Sequence, residues 1–382
     1  MKKLKIQFTE KLLTKNAGLY LLSLFADKLS LKNLLEKEVH IERGITSQYK
    51  IADILMLLIL SVLAGTKHIS QVSILRHDDV VRAYLELNKF PADTTIRRLF
   101  GLFTFKNCVE LDKVEKTLRD KVWSYKWFGR VTFDMDSTVK GVYGSQEGAE
   151  KGYNARKKGQ KSYHPLLCFI AENRECFHNW FRPGSSYTSN GAIEFTKECL
   201  ARKPKHIWKI FVRADSGFFS GDFLEYLESQ NCEYLIKVKL KGLKRLLISK
   251  KWRKVRNQYG TETAKFLHKC QSWKKTRNFL AVRNMVEEPD ETMLIPEPKY
   301  EYFCYVSNCH LTPMKAHKCY GQRATSENWI EWCKNHMASG NILTQNFWAN
   351  AAIFQSCILA YNLLVWMMWL NAKMVLRKNQ IQ

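Results

Sequence analysis

The sequence lacks the features that mark a disulfide-bonded, disordered or acidic protein. It contains no C-x-x-C pair, and its eleven cysteines are scattered and odd in number, which indicates reduced thiols in a cytosolic protein. Only eight residues of 382 are proline and 46% are hydrophobic, which excludes a largely disordered chain. Acidic residues are also scarce: 36 Asp and Glu face 61 Lys and Arg, so the net charge is +25. This excess predicts a polyanionic partner, nucleic acid first and an anionic membrane second.

The sequence also lacks an uninterrupted apolar run of the kind that spans a membrane. Residues 51–65 are too short to cross a bilayer and include Asp53. Residues 351–370 are long enough, but Gln355, Ser356 and Asn362 interrupt them. We therefore predict a buried helix packed on the core.

Residues 1–125 predict a helical N-terminal domain. Apolar residues recur at helical spacing in residues 19–35 and 51–64. Asp93 precedes a short helix that carries Arg97 and Arg98. Such a helix would suit a DNA major groove, as in helix-turn-helix proteins, or an accessory bundle in which it is simply a basic packed helix. The sequence leaves both alternatives open.

Residues 131–240 change to alternating strands and helices, which predicts an α/β domain with a mixed sheet. Phe133 and Met135 alternate with Asp134 and Asp136 on the first strand, and Asp215 ends the fourth strand. The predicted order is strand 131–138, strand 163–171, strand 176–181, helix 191–201, strand 207–215, helix 222–229 and strand 234–240.

Two basic segments are candidate DNA contacts. Residues 241–277 hold thirteen Lys and Arg against one acid, Glu262, and aromatic residues are interleaved. This density favours DNA contact over a merely solvated face. The second segment is a basic loop, residues 151–161, which we interpret as a contact to the phosphate backbone. The basic candidates are Lys250, Lys251, Arg253, Lys254 and Arg256 in the first segment, and Arg156, Lys157 and Lys158 in the second.

A pattern of four side chains organises residues 320–334, which we call the signature segment. Tyr320, Arg323, Glu327 and Lys334 stand at offsets of zero, three, seven and fourteen, which would place them on one stripe of a single α-helix. Taken alone, such a stripe can be a solvated face with charge pairs one turn apart.

The spacing Tyr-x2-Arg-x3-Glu-x6-Lys resembles the signature of a large superfamily of bacterial insertion-sequence transposases. The resemblance implies an RNase H-like fold, whose strand and helix order is the one predicted above. It also implies a catalytic, metal-binding triad of Asp136, Asp215 and Glu327, with Asp134 as a possible alternative ligand. Tyr320, Arg323 and Lys334 would hold transposon-end DNA.

The residue patterns, together with the resemblance over about residues 134–334, predict the domain organisation. A helical domain at 1–125 would precede a catalytic core at 126–345, and a basic β-rich insertion at about 241–312 would interrupt that core. Residues 346–382 would form a helical segment packed on the core. On a strand of the insertion, Tyr302 is the match to a tryptophan that stacks on a flipped base in related transposases. The alternative for Tyr302 is ordinary packing within the sheet.

The function implied is cut-and-paste transposition by two-metal phosphoryl transfer, with nicking at the ends, a hairpin intermediate and strand transfer. Mg²⁺ would be the cofactor and Mn²⁺ its substitute. The partners would be double-stranded DNA, at terminal inverted repeats and at the target, and a second copy of the chain in the DNA complex, with no membrane. The expected location is the bacterial cytoplasm, at the nucleoid. Two alternatives remain: another RNase H-like nuclease, or a catalytically silent DNA-binding protein of transposase descent.

Overall fold

The structure is a computed structural model. It describes residues 14, 16–44, 47–152, 154, 157–187, 189–287, 298–341 and 344–371. The described residues form two compact units. Unit 1 draws on Met1–Tyr125, Ser145–Glu147 and Trp332–Gln382, and unit 2 comprises Lys126–Gly144 and Gly148–Glu331.

The regular elements alternate in type along the chain much as the sequence predicts. The helices are α1 (Ala17–Lys28), α2 (Leu31–Glu38), α3 (Ile51–Leu63), α4 (Asp79–Tyr84), α5 (Asp93–Phe100), α6 (Phe105–Tyr125), α7 (Ala192–Ala201), α8 (Gly221–Ser229), α9 (Leu243–Ile248), α10 (Pro313–Gly321), α11 (Ala324–Asn335) and α12 (Phe347–Asn371). The strands are β1 (Arg130–Ser137), β2 (Lys140–Gly141), β3 (Glu150–Lys151), β4 (Lys161–Tyr163), β5 (Leu166–Ile170), β6 (Cys176–Trp180), β7 (Lys209–Ala214), β8 (Glu233–Lys237), β9 (Arg253–Lys254), β10 (Thr261–His268), β11 (Arg277–Glu287) and β12 (Lys299–Ser307). Two 3₁₀ helices span Ile69–His77 and Ser216–Phe218.

Unit 1 is helical, and α12 lies at its centre. This helix packs against α6 and α3, with further contacts to α1 and α5. It is long and apolar enough to cross a membrane, with a mean hydropathy of 1.6 over its best 18-residue window, yet 78% of that window is buried. Its burial matches the prediction of an interior helix, and within unit 1 its packing partners are the N-terminal helices. An all-round apolar helix has no single face from which its partners can be predicted.

A cluster of buried polar side chains links two helices of unit 1. Asn362 of α12 donates a hydrogen bond to Glu115 of α6 over 2.7 Å, and Arg119 donates to the same carboxylate oxygen over 2.9 Å. All three side chains are buried. The bonds satisfy groups that would be costly to bury alone, so they specify how α12 sits on α6.

Unit 2 contains a nine-stranded sheet in the order β6-β5-β1-β7-β8-β12-β11-β10-β9. Strands β5 and β6 run antiparallel on one side of β1, and β7 and β8 run parallel on the other. With α7 and α8 as the connecting helices, this is the RNase H-like order predicted from the sequence, so the predicted fold class is confirmed.

The residues that follow β8 extend the same sheet. Strand β12 pairs antiparallel with β8, and β11, β10 and β9 continue outward as an antiparallel ribbon. The basic segment 241–277 thus lies at the far edge of the sheet, as α9, β9, β10 and their turns. The loop 151–161 connects strands of a separate three-stranded sheet, in the order β2-β4-β3.

Candidate active site

Two carboxylates come together at the carboxyl ends of two neighbouring strands of the large sheet. Strands β1 and β7 are parallel neighbours, and their register pairs Met135 with Ala214. The next residue on each strand is an aspartate, Asp136 on β1 and Asp215 after β7. The Asp215 side chain begins the 3₁₀ helix by accepting a hydrogen bond from the backbone N–H of Gly217 over 3.0 Å. The β-strand pattern therefore brings together two acids that are 79 positions apart in sequence.

The electrostatics of this pair are those of crowded carboxylates. Burial raises the pKa of Asp215, and the negative charge of Asp136 raises it further, while the cation Arg323 acts in the opposite direction. Like charges that share a buried site disfavour ionisation of both. A positive group between them relieves that repulsion.

Arg323 is the positive group. Its Nη1 donates to Asp136 Oδ2 over 3.0 Å, and its Nη2 lies 3.4 Å from Glu327 Oε1. The guanidinium carbon lies 5.5 Å from the centre of the Tyr320 ring. Burial lowers the pKa of Arg323, but the charge of Asp136 and its hydrogen bond outweigh this effect, so the pKa is raised. Arg323 thus connects the first and third members of the predicted triad.

The signature segment is not one continuous helix as the spacing predicts. Tyr320 belongs to α10, Arg323 lies between the helices, and Glu327 stands in the first turn of α11. The backbone N–H of Arg323 bonds to Tyr320 O over 2.8 Å, which is a tight turn and not an α-helical bond. Gly321 is a poor helix former, and the break turns Arg323 inward, where only 7% of its side chain is exposed.

Glu327 is the most exposed of the three members of the predicted triad. Its side chain is 62% exposed, and it reaches Asp136 through Arg323. Within the described ranges, no group of three His, Cys, Asp or Glu residues is arranged to hold a metal ion. The donor chemistry of Asp136 and Asp215 nevertheless fits a hard divalent cation, because such ions take carboxylate oxygens and neutralise their repulsion.

Asp134, the possible alternative ligand, is fully buried and engaged elsewhere. Arg213 of β7 donates to its two oxygens over 2.7 and 2.6 Å. Burial raises the pKa of Asp134 to about 6, against the pull of Arg213. Of the two aspartates on β1, Asp136 accepts a hydrogen bond from Arg323 of the signature segment, whereas Asp134 accepts from Arg213 of β7.

A family model matches the whole length of the chain. Residues 1–382 match the family model described as transposase DDE domain, group 1. The chain belongs to this transposase family. It is therefore a DNA transposase, of a family that cleaves DNA and transfers strands with the help of divalent metal ions. It works where DNA is, in the cytoplasm or the nucleus.

Other comparisons give only distant likenesses. No curated protein matches the sequence. A piggyBac transposase synaptic complex with hairpin DNA aligns at 11% identity over 90% of this chain and 75% of that chain, with a TM-score of 0.44. A Mos1 transposase paired-end complex with the left transposon end aligns at 14% identity over 51% and 61%, with a TM-score of 0.21. A Mos1 mariner paired-end complex with Mn aligns at 13% identity over 58% and 78%, with a TM-score of 0.19. These likenesses are too distant to extend the family assignment.

The remaining signature residues of the transposase differ in their surroundings. The ring centre of Tyr320 lies 4.8 Å from that of Tyr305, and burial raises the pKa of the Tyr320 phenol. The division between the two units falls within α11, between Glu331 and Trp332, so Lys334 belongs to unit 1. Three of the four signature residues lie together in unit 2.

Aromatic rings cluster around one arginine in the outer ribbon of the transposase. The guanidinium carbon of Arg283 lies 4.6 Å from the ring centre of Trp252 and 4.0 Å from that of Tyr300. Tyr302 pairs with Arg283 across β12 and β11, and its ring centre is 5.7 Å from that of Trp252, edge to face. The sequence predicts a role for Tyr302 and places aromatic residues in the basic segment, but it gives no indication of Arg283. The two-residue periodicity of β11 offers no signal for a cation between these rings.

The basic segment divides into exposed and packed residues. Lys251, Arg253, Lys254 and Arg256 are exposed, whereas the ammonium of Lys250 lies 4.9 Å from the ring centre of Phe266. Trp273, predicted as an aromatic of a DNA-contacting segment, is only 5% exposed. The Trp273 ring instead packs against other aromatic side chains.

The basic loop is described in part. The Lys157 ammonium donates to the Tyr143 hydroxyl over 2.7 Å, and Lys158 is exposed. Arg156 lies outside the described residues.

Proposed function

We propose that this transposase moves an insertion sequence by a cut-and-paste mechanism, with Asp136, Asp215 and Glu327 as its metal-binding triad. One observation carries the assignment of residues. Asp136 and Asp215 follow paired positions on parallel neighbouring strands, and Arg323 joins Asp136 to Glu327. In this constellation, Arg323 bonds to the carboxylates of Asp136 and Glu327, and its charge also acts on Asp215.

The cofactor we propose is Mg²⁺, with Mn²⁺ as a substitute. Asp136 and Asp215 would hold it, Glu327 would complete the ligand set, and Asp134 would not take part because Arg213 occupies both of its oxygens. Bound metal would activate a water or a DNA 3′-hydroxyl and stabilise the departing oxygen. The protein's own part is to bring its carboxylates together, which Arg323 promotes by bonding to both Asp136 and Glu327.

The DNA contacts we propose lie on both units. Tyr320 and Lys334 would hold transposon-end DNA, and the exposed residues Lys251, Arg253 and Lys254 would neutralise phosphates along the outer ribbon. Arg323 was expected to hold DNA as well. Its burial and its bond to Asp136 support a role as counter-ion of the triad instead. Further basic contacts are proposed at Lys250, Arg256, Arg156, Lys157 and Lys158.

The assembly we propose is a homodimer that bridges two terminal inverted repeats and captures target DNA at the bacterial nucleoid. Residues 1–125 would form an accessory helical domain, and residues 126–345 would supply the catalytic core with its insertion at about 241–312. In residues 346–382, α12 packs with the helices of unit 1, so its role is to complete that unit.

A hairpin intermediate is part of the proposal. Forming a tight hairpin strains the cleaved end, and an extrahelical base stacked on an aromatic ring relieves that strain at a gain of about 1–3 kcal/mol. Tyr302 is half-buried beside Trp252, so one part of its ring is accessible and another is supported. The competing role, packing within the sheet, has the same edge-to-face contact in its favour.

A cleavage assay tests the function. Purified protein is incubated with Mg²⁺ and a duplex that carries the inverted repeats flanking its reading frame. Cleavage at the repeat end and joining to a second duplex are expected for the wild type. Asp136→Asn, Asp215→Asn and Glu327→Gln should each abolish both reactions and leave binding of the duplex intact.

The same assay separates the alternatives. Binding of the repeats without any cleavage would indicate a silent DNA-binding protein of transposase descent. Cleavage of branched DNA without strand joining would indicate another RNase H-like nuclease. Full activity of Glu327→Gln would remove Glu327 from the triad.

A further inference from the structure

Arg213 joins three parts of unit 2 that are far apart in sequence. Its Nε and Nη2 bond to the two oxygens of Asp134 on β1, over 2.7 and 2.6 Å. Its Nη1 donates to the carbonyl of Cys319, near the end of α10, over 2.8 Å and lies 3.5 Å from the side-chain oxygen of Gln322. The side chain is 4% exposed. One guanidinium therefore ties two strands to the signature segment.

The position of this pair is informative. Asp134 stands two residues before Asp136 on β1, and Arg213 stands two residues before Asp215 on β7. Because alternate residues of a strand share a face, the ion pair lies on the face of the sheet from which both candidate catalytic aspartates project. The ion pair thus lies next to the candidate active site, two residues further from the carboxyl ends of β1 and β7.

The bond from Arg213 to the Cys319 carbonyl connects the ion pair to the signature segment. The carbonyl of Cys319 is four residues before Arg323, and Gln322 is the immediate neighbour of Arg323. Between α10 and α11 the chain has no continuous helix to hold Arg323 in place. The bond from Arg213 supplies an anchor at that break.

We infer that Arg213 is a positioning residue, which fixes the turn between α10 and α11 to the two catalytic strands and so sets where Arg323 and Glu327 meet Asp136. The inference rests on the proposed roles of Asp136, Asp215 and Glu327. A planar guanidinium can bond to both oxygens of a carboxylate and to a carbonyl at once, whereas a lysine ammonium is a point charge that cannot reproduce this fork. Asp134 anchors the Arg213 side chain and does not act as a metal ligand.

The test variant is Arg213→Lys, which keeps the buried charge. We expect the rate of end cleavage at saturating DNA to fall about 10- to 100-fold, because displacement of reacting groups by about 1 Å has effects of that size. The Kd for transposon-end DNA should stay within about twofold, since the exposed cationic surface is unchanged.

A matched control exists in the same unit. Arg277 of β11 is also buried, with 4% of its side chain exposed, and bonds to both oxygens of Glu228 over 2.9 and 3.0 Å. None of its described bonds reaches the signature segment. Arg277→Lys should lower the melting temperature by an amount comparable to Arg213→Lys and leave the rate of cleavage at permissive temperature within about twofold of the wild type.

Hydrogen–deuterium exchange gives a readout that does not depend on activity. Arg213→Lys should speed exchange of the amides in residues 320–331, and Arg277→Lys should not. A wild type that cleaves no DNA would defeat the proposed function and still leave this difference in exchange measurable. Unchanged exchange at residues 320–331, or equal loss of cleavage in both variants, would overturn the positioning role.

Removal of one partner of a buried ion pair can prevent folding. If Arg213→Lys does not fold, the double variant Asp134→Asn/Arg213→Gln removes both charges and retains groups that can bond to each other. It should fold, exchange quickly at residues 320–331 and cleave slowly. Wild-type cleavage by the folded double variant would show that the pair serves stability alone.

Discussion

Arg323 Nη1 lies 3.0 Å from Asp136 Oδ2, so an internal cation binds the carboxylate that we propose as a principal metal ligand. The same guanidinium also lies 3.4 Å from Glu327 Oε1, so it links the two carboxylates. It also places a positive charge where a divalent ion must approach. Arg323 therefore has two opposing effects, since it organises the ligands and weakens their attraction for a metal.

Removing the charge of Arg323 separates these effects. Arg323→Gln should bind Mn²⁺ at least about threefold more tightly, because the variant no longer places a repelling unit charge within a few ångströms of the site. End cleavage should nevertheless fall at least about tenfold, because Glu327 loses its link to Asp136. Titration of Mn²⁺ followed by electron paramagnetic resonance measures the affinity, with Arg283→Gln as the control in the outer ribbon. Weaker Mn²⁺ binding by Arg323→Gln would contradict the first effect.

The exposed cations of the outer ribbon should govern the salt dependence of DNA binding. Replacing Lys251, Arg253, Lys254 and Arg256 by Gln should reduce the slope of log Kd against log salt by about 0.9 for each phosphate that the variant no longer neutralises. Fluorescence anisotropy at several salt concentrations gives that slope. Lys274→Gln is the control, since this exposed lysine is already paired with Glu225 over 3.3 Å. An unchanged slope in the fourfold variant would make the ribbon a solvated surface.

Tyr302 should matter at one chemical step. Tyr302→Ala is expected to slow hairpin formation about tenfold more than the first nick, because only the hairpin step needs the stacked base. A fluorescent base analogue at the cleaved end reports unstacking directly. Tyr259→Ala controls for removal of an aromatic ring from the same insertion, since the Tyr259 side chain is 85% exposed. Equal slowing of both steps by Tyr302→Ala would assign Tyr302 to sheet packing.

The attachment of the outer ribbon should depend on pH through Glu228. Burial opposes ionisation of Glu228, but its bonds to Arg277, Lys275 and Tyr234 outweigh burial and lower its pKa to about 2, from an ordinary value of 4.5. A folded-state pKa below the unfolded value means that the ionised group stabilises the fold above about pH 4.5. This contribution is lost as the pH falls from 4.5 towards 2.

Glu228→Gln tests that dependence. At pH 7 the variant should unfold at a lower temperature than the wild type, and the difference should shrink as the pH falls towards 2. Thermal unfolding followed by circular dichroism across this range measures the difference. A difference that stays constant from pH 7 to pH 2 would mean that ionisation of Glu228 does not stabilise the fold.

Much of the catalytic architecture is predictable from local patterns. Alternation of Phe133 and Met135 with polar residues defines β1, and an apolar run that ends at Asp215 defines β7. Since parallel strands end at a common edge, the convergence of Asp136 and Asp215 follows from the order of the elements. The resemblance of the signature segment to the transposase signature supports the proposal of Glu327 as the third acid.

The tertiary structure alone decided what those residues touch. The sequence treated Asp134 and Asp136 as alternatives, and the partner that distinguishes them, Arg213, lies 79 positions from Asp134. The uniform spacing of the signature segment predicted one helix, but the attraction of Arg323 to Asp136, across 187 positions, accompanies a break at residues 322–323. Periodicity reports which face of an element is apolar, because that is a local property. It carries no record of which distant charge a buried side chain meets, and in this transposase such contacts support the roles that we propose for Asp134, Arg213 and Arg323.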